Sequence, residues 1–240
     1  MKIHSLAIAA IVLALSACSA FALGMGDNVH GNGKVRLEQR DVRAFTGIEN
    51  RGSGFVRFSQ GPTWQLTVEA DTNILPYIET DVTDGILVLR TRQGVSVDPT
   101  RLVFRITAPE LSSIGIKGSG DFRLETPVET DSLGIAINGS GRFEGSITVA
   151  DLDVDINGSG GVTLEGSAKA ARHAINGSGS IEAGDLSSAN ARVVINGSGS
   201  VSLSVTGTLD VDISGSGDVN YHGGAKATVR SSGSGTVKEY

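Results

Sequence analysis

Between Leu152 and Ile156 the chain alternates strictly: Leu152, Val154 and Ile156 are apolar, and Asp153 and Asp155 between them are charged. A period of two belongs to a strand with one dry face and one wet face. Asn157-Gly158-Ser159-Gly160 then breaks the alternation with turn chemistry, since glycine reaches positive φ at no steric cost and asparagine tolerates it. Val162 and Leu164 open a second strand. The same order recurs, with Gly-Ser-Gly starting at Gly118, Gly139, Gly158, Gly177, Gly197, Gly215 and Gly233, in steps of 21, 19, 19, 20, 18 and 18 residues. So steady a period predicts a coil that makes one circuit per repeat and returns to the same corner.

Strands joined by Asn-Gly could also form a meander of hairpins. The columns on either side of the corner argue for the coil. Two residues before the first glycine stand Ile116, Ile137, Ile156, Ile175, Ile195 and Ile213, and only then Ser231. Two residues after the last glycine stand Phe122, Phe143, Val162, Ile181, Val201, Val219 and Val237. Hairpin neighbours need complementary residues, whereas coil neighbours stack like on like at a strand spacing of about 4.8 Å. The predicted fold is all-β, a single-stranded β-helix (β-solenoid) with about 18–22 residues per turn.

The same register predicts outward ladders. Asp153, Arg172, Arg192 and Asp210 share one column, Asp212 and Arg230 a second, and Arg123 and Glu144 a third. Opposite charges on neighbouring strands contribute about 0.2–1 kcal/mol per pair, whereas the Arg172–Arg192 step is repulsive. Asn138, Asn157, Asn176 and Asn196 stack beside Ser140, Ser159, Ser178 and Ser198. Stacked amides can bond along a column, so these eight residues are expected to form corner ladders that fix register rather than a binding site.

From 34 to 117 the repeat is looser. Gly52-Ser53-Gly54 precedes the next copy by 66 residues, which corresponds to about three turns of 22. This section is expected to be a wider end of the same coil. The run Asp71 to Ile78 is its one helix-like piece, with Asp71 or Thr72 as cap and Pro76 limiting its length. A short helix there would cover the first open edge. The other end finishes at Thr236-Val237-Lys238-Glu239-Tyr240, an edge that either Lys238 and Glu239 blunt or a second subunit meets.

Residues 1–18 read as a secretory signal, with a basic start and an apolar run too short for a comfortable bilayer span. Leu15-Ser16-Ala17-Cys18 looks like the lipobox of bacterial lipoproteins, in which the cysteine carries the lipid; plain cleavage after Ala20-Phe21-Ala22 is the competing reading. Cys18 is the single cysteine, and lipidation accounts for a lone thiol in an exported chain. By analogy with Gram-negative lipoproteins, Ser19 after it favours the outer membrane. Residues 19–33, small and Gly-rich, read as a flexible tether, which leaves 34–240 as the domain, with regular turns over 118–240. A net charge of −6 and the absence of a Lys/Arg cluster argue against nucleic acid.

The block Val68-Glu69-Ala70-Asp71-Thr72-Asn73-Ile74-Leu75-Pro76-Tyr77-Ile78-Glu79-Thr80 with Asp84-Gly85-Ile86-Leu87, together with the serial Gly-Ser-Gly, resembles the putative autotransporter adhesin, head GIN domain family. Gly118-Ser119-Gly120-Asp121 and Gly215-Ser216-Gly217-Asp218 come nearest the family form, and the likeness runs from about Phe45 to Tyr240. The resemblance implies a pectin-lyase-like β-helix and carries no catalytic residues.

Candidate chemistry is thin. Asp153 with Asp155, and Asp210 with Asp212, are the best acids, but the pairs stand three turns, about 14 Å, apart and no Lys or His joins them. His173 falls in the inward column of Val154 and Val193 and reads as a partly buried core residue; His30 sits in the tether, and His222 follows Tyr221 in a Gly-rich bend without a role. No Gly-Ser-Gly copy completes a phosphate loop or precedes a helix. Only Asp121 and Asp218 follow a copy, so there is no calcium ladder. No cofactor, metal or catalytic residue is expected. The functional expectation is a non-enzymatic, lipid-anchored envelope β-solenoid serving adhesion, scaffolding or glycan or protein binding. The alternative is a carbohydrate-active β-helix enzyme with its site before Ile116.

Overall fold

Alternation carries through each circuit with so little interruption that a rung is nearly one strand. In the computed structural model, which describes residues 28–240, strands Arg142–Gly158, Gly161–Gly177, Ser180–Gly197 and Ser200–Gly215 follow one another with only the corner residues between them. Successive rungs are parallel and in register. Ile137 pairs with Ile156, Ile156 with Ile175, Ile175 with Ile195, and Ile195 with Ile213. The chain is a β-solenoid. Differences in turn length are taken up by register shifts between Thr163 and Glu165, Ala183 and Ser187, and Ser188 and Asn190. Stacked columns fill the core, with Ile137, Ile156, Ile175 and Ile195 at 0% exposure and Phe122 and Phe143 stacked at 5.8 Å.

The corner explains the ruler. Gly158 has φ +131°, and a Cβ there would overlap the carbonyl oxygen of Gly139 one rung away. Gly160 is buried, and its Cβ would stand 2.6 Å from Ile137 Cγ2. The first glycine therefore answers a backbone demand and the second a packing demand.

The section before Ser113 departs from three simple wider turns. The corner Gly52-Ser53-Gly54 lies directly beside the Gly118 corner, and Gly120 N donates to Gly52 O at 2.9 Å. Strand Gly47–Arg51 is sandwiched in parallel between Ile86–Thr91 and Ser113–Gly118, while Phe55–Gln60 lies between Leu102–Ala108 and Asp121–Leu124. Rung order in space is thus not chain order. The 66-residue interval loops out below the 47–60 rung and builds one further rung and a cap. The cap is antiparallel: Gln65–Asp71 pairs with Leu102–Ala108, Val35–Arg40 with Gln65–Asp71, and Ile78–Thr83 with Ile86–Thr91.

The expected capped helix shrinks to one 3-10 turn, Leu75–Tyr77, whose N-cap is Ile74 with no side-chain cap. Ile74, Leu75 and Ile78 are buried at this end. Asp71 does not cap the turn. Its buried carboxylate accepts hydrogen bonds from Gly33 N at 2.7 Å, Thr100 N at 2.8 Å and Thr100 Oγ1 at 2.7 Å. Burial alone would push this carboxyl up; the bonds from Thr100, Gly33 and Arg101 outweigh it and hold it below the ordinary aspartate range.

Those bonds also change the tether boundary. Asn28–His30 pairs in parallel with Ser96–Asp98, Asn32 Nδ2 donates to Thr72 Oγ1, and Asn73 Nδ2 donates to the His30 carbonyl. Residues 28–33 therefore belong to the folded body. Cys18 and the lipobox lie outside the described residues. At the other end, among the described residues, Lys226–Gly233 bonds only to Ser200–Gly215, and Val229, in the column of Val211, is 45% exposed.

Candidate functional site

Where each rung passes from its corner-distant half into the strand leading to Gly-Ser-Gly, the surface is concave. A groove of about 490 Å³ crosses four successive rungs there. Three adjacent columns build it. Leu133, Leu152, Ala171 and Ala191 form the floor, at 1%, 3%, 5% and 7% exposure. Ser132, Asp151, Ala170 and Asn190 form one wall, and Gly134, Asp153, Arg172 and Arg192 the other. Parallel stacking makes the groove run along the solenoid axis for about 14 Å, three rung steps.

Charges on the second wall are tied into a network that spans two columns. Arg172 Nη1 donates to Asp153 at 2.8 Å and to Asp155 at 3.2 Å, and Asp153 leads the charge partners that raise the guanidinium pKa. Arg192 donates to Asp210 at 3.1 Å and to Asp212 at 2.7 Å. Arg230 binds the same two acids and, foremost, holds the Asp212 carboxyl below its ordinary range. Sequence register had paired Arg172 only with Asp153 and Arg192 only with Asp210; the diagonal bonds to Asp155 and Asp212 come from the reach of arginine across a twisted sheet. Arg123 meets Glu144 at 2.6 Å on the opposite side of the corner.

The asparagine column lies apart from the groove, at the corner itself. Asn157 donates to Asn138 at 3.2 Å, Asn176 to Asn157 at 3.0 Å and Asn196 to Asn176 at 2.9 Å. Ser140, Ser159, Ser178 and Ser198 bond through their backbone N–H to the glycine carbonyls of the preceding corner at 2.9–3.0 Å. His173 is fully buried, not half-buried: neither ring nitrogen has a partner, and burial pulls its pKa down to about 4. His30 faces Asp98 at 3.1 Å, and His222 stands edge-on to Tyr240 at 5.3 Å. Among the described residues no group of three or more His, Cys, Asp or Glu could hold a metal ion.

Parallel rungs, stacked glycine corners and an axial groove define the chain as a single-stranded β-solenoid. It belongs to the putative auto-transporter adhesin, head GIN domain family, whose sequence pattern matches residues 44–225. A putative adhesin from Bacteroides fragilis has a similar crystal structure, with 27% identity and a TM-score of 0.84 over 88% of this chain and 100% of that one. A putative adhesin from Parabacteroides merdae shares 26% identity with a TM-score of 0.73 over 89% of this chain and 99% of that one. A putative lipid binding protein from Parabacteroides distasonis, 24% identical with a TM-score of 0.76 over 89% of this chain and 100% of that one, shares the fold. No curated protein matches the chain.

Proposed function

We propose that the protein is a non-enzymatic adhesin of the bacterial cell envelope, held by a lipid on Cys18 at the outer membrane, and that it binds glycan along the axial groove. The observation that carries this reading is the groove's composition. Asp151, Asp153, Asn190, Arg172 and Arg192 offer planar polar groups on both walls, suited to paired hydroxyls of a sugar ring, above an apolar floor that suits its C–H face. A groove that repeats rung by rung favours an extended polymer over a compact ligand. The adhesin relatives from Bacteroides and Parabacteroides support the same direction.

The carbohydrate-active enzyme is the weaker reading. A general acid needs its pKa raised towards neutrality. The carboxylates with displaced pKa values, Glu49, Glu69, Asp71 and Asp212, are all held low. Burial pushes Glu49 up, but the bonds from Lys117 and Arg51 prevail; Arg101 leads the partners that lower Glu69.

Binding of the purified domain to a panel of envelope polysaccharides tests the reading, with Ala170→Trp, on an exposed wall position, expected to block the groove. Shortening of any polymer would overturn the non-enzymatic assignment. Cys18→Ala should move the protein to the soluble fraction; retention with membranes would refute the lipid anchor. The one-sided edge Lys226–Gly233, with Val229 45% exposed, supports self-association through a second copy. Val229→Arg should then lower the mass seen in light scattering, and a wild type that stays monomeric at high concentration would remove that contact.

A further inference from the structure

The ion-pair network along the groove breaks at one step. Arg172 and Arg192 are register neighbours on adjacent rungs, yet they lean apart: Arg172 bonds to Asp153 and Asp155 on one side, and Arg192 to Asp210 and Asp212 on the other. Among the described residues no bond or acid bridges the two cations. Arg172 uses only Nη1, so its Nη2 and Nε remain open, as does Nε of Arg192. Across the groove Asn190 spends its oxygen on Thr208, accepting from N at 3.3 Å and Oγ1 at 2.7 Å, which leaves its Nδ2 as a donor. The floor between them is Ala171 and Ala191, where the neighbouring rungs carry leucine. This half of the groove therefore offers open N–H donors over small side chains, from two guanidinium groups one rung apart that are each also paired with two aspartates.

The other half is the reverse. Asp151 and Asp153 line it as acceptors; Asp153 also accepts from Arg172, and among the described residues Asp151 makes no ion pair. A ligand that fits both halves has an acceptor-rich, negatively charged group at one end and hydroxyl donors at the next position. We infer that the groove selects glycans that carry a carboxylate, as uronate units do, with the carboxylate seated between Arg172 and Arg192 and the hydroxyls of the adjoining sugar on Asp151 and Asp153. A rung step of about 4.8 Å matches the length of one pyranose unit closely enough to keep both contacts. The carboxylate would take charge-assisted, fork-shaped bonds from the guanidinium groups. A flat bilayer fits less well, because the arginines lie in a concavity.

The inference rests on the glycan reading of the groove, and one titration set separates the two. Oligogalacturonate, hyaluronan fragments and oligoalginate are each compared with their own carboxyl methyl esters, which keep every hydroxyl and lose the charge. At least one acid should bind about tenfold or more tighter than its ester, the scale of one charge-assisted bond. The double variant Arg172→Gln, Arg192→Gln should bring acid and ester to equal affinity. A single Arg172→Lys should keep part of the preference, which a merely structural role would not predict. Acid and ester binding equally to the wild type would overturn the carboxylate inference and leave glycan binding standing. If neither form of any polymer binds, the glycan reading falls and this inference with it. Arginine-dependent binding to phosphatidylglycerol vesicles, with no acid preference among the glycans, would assign the site to lipid and overturn it too.

Discussion

Replacing His173 by valine should raise stability at neutral pH and flatten its decline in mild acid. His173 is 0% exposed, and both ring nitrogens lack a partner in the column between Val154 and Val193. A buried polar group without partners costs about 1–3 kcal/mol, and valine continues the column with little change in volume. For a domain of this size that gain is roughly 2–10 °C in Tm. Acid enlarges the difference. Burial is the main cause that drives the native pKa from 6.5 down to about 4, with Asp153 opposing it. Between those values the unfolded chain binds a proton that the native state refuses, so this part of the stability is whole above pH 6.5 and is lost as the pH falls towards 4. At about 1.4 kcal/mol per pH unit the loss reaches about 3 kcal/mol, most of it gone by pH 5. Urea unfolding followed by circular dichroism from pH 7.5 to 4.5, on wild type and His173→Val, isolates it, because contributions from the carboxylates cancel between the two. Parallel curves between pH 7 and 5, or a valine variant less stable than wild type at pH 7.5, would refute the reasoning.

Other expectations follow from single contacts. Gly160→Ala pushes a Cβ to 2.6 Å from Ile137 Cγ2 and should cost about 1–3 kcal/mol, whereas Gly161→Ala, whose Cβ would meet nothing nearer than Ser180 Oγ at 3.6 Å, should be tolerated; equal unfolding midpoints would contradict the packing account of the repeat. Asp71→Ala strips the acceptor from Gly33, Thr100 and Arg101, so amide exchange should quicken over 28–34 and 96–101 while the turns after 118 keep their protection. Asn176→Ala cuts two links of the amide column at once and should lower stability by about 0.5–1.5 kcal/mol, as read in urea unfolding. A larger loss from the terminal Asn138→Ala, which cuts one link, would contradict the ladder account.

The regular turns could be read because each rung repeats the demands of the last. Ile137, Ile156, Ile175 and Ile195 announce one column by identity alone, and the glycines mark where backbone meets backbone. The groove could not be read that way. Leu133, Leu152, Ala171 and Ala191 look like another inward column, and only the bend of the backbone turns them into a floor. Arg172 and Arg192 were legible as a repulsive step, but their leaning apart depends on diagonal bonds to Asp155 and Asp212. Asp71 looked like a helix cap because Leu75-Pro76-Tyr77 follows it; its partners Gly33 and Thr100 lie 38 and 29 residues away in the chain.

By itself the sequence determined the alternation, the corner chemistry, the period and hence the solenoid, since all of these arise between residues one turn apart that must stack on their own kind. Tertiary structure decided what period cannot encode. It set the 47–60 rung between rungs from later in the chain and closed one end with antiparallel strands. It also docked residues 28–33 onto that end through the Asp71 carboxylate. These choices rest on pairings between segments many tens of residues apart, where the local pattern of apolar and polar positions fits several partners and only the satisfaction of buried hydrogen bonds selects one.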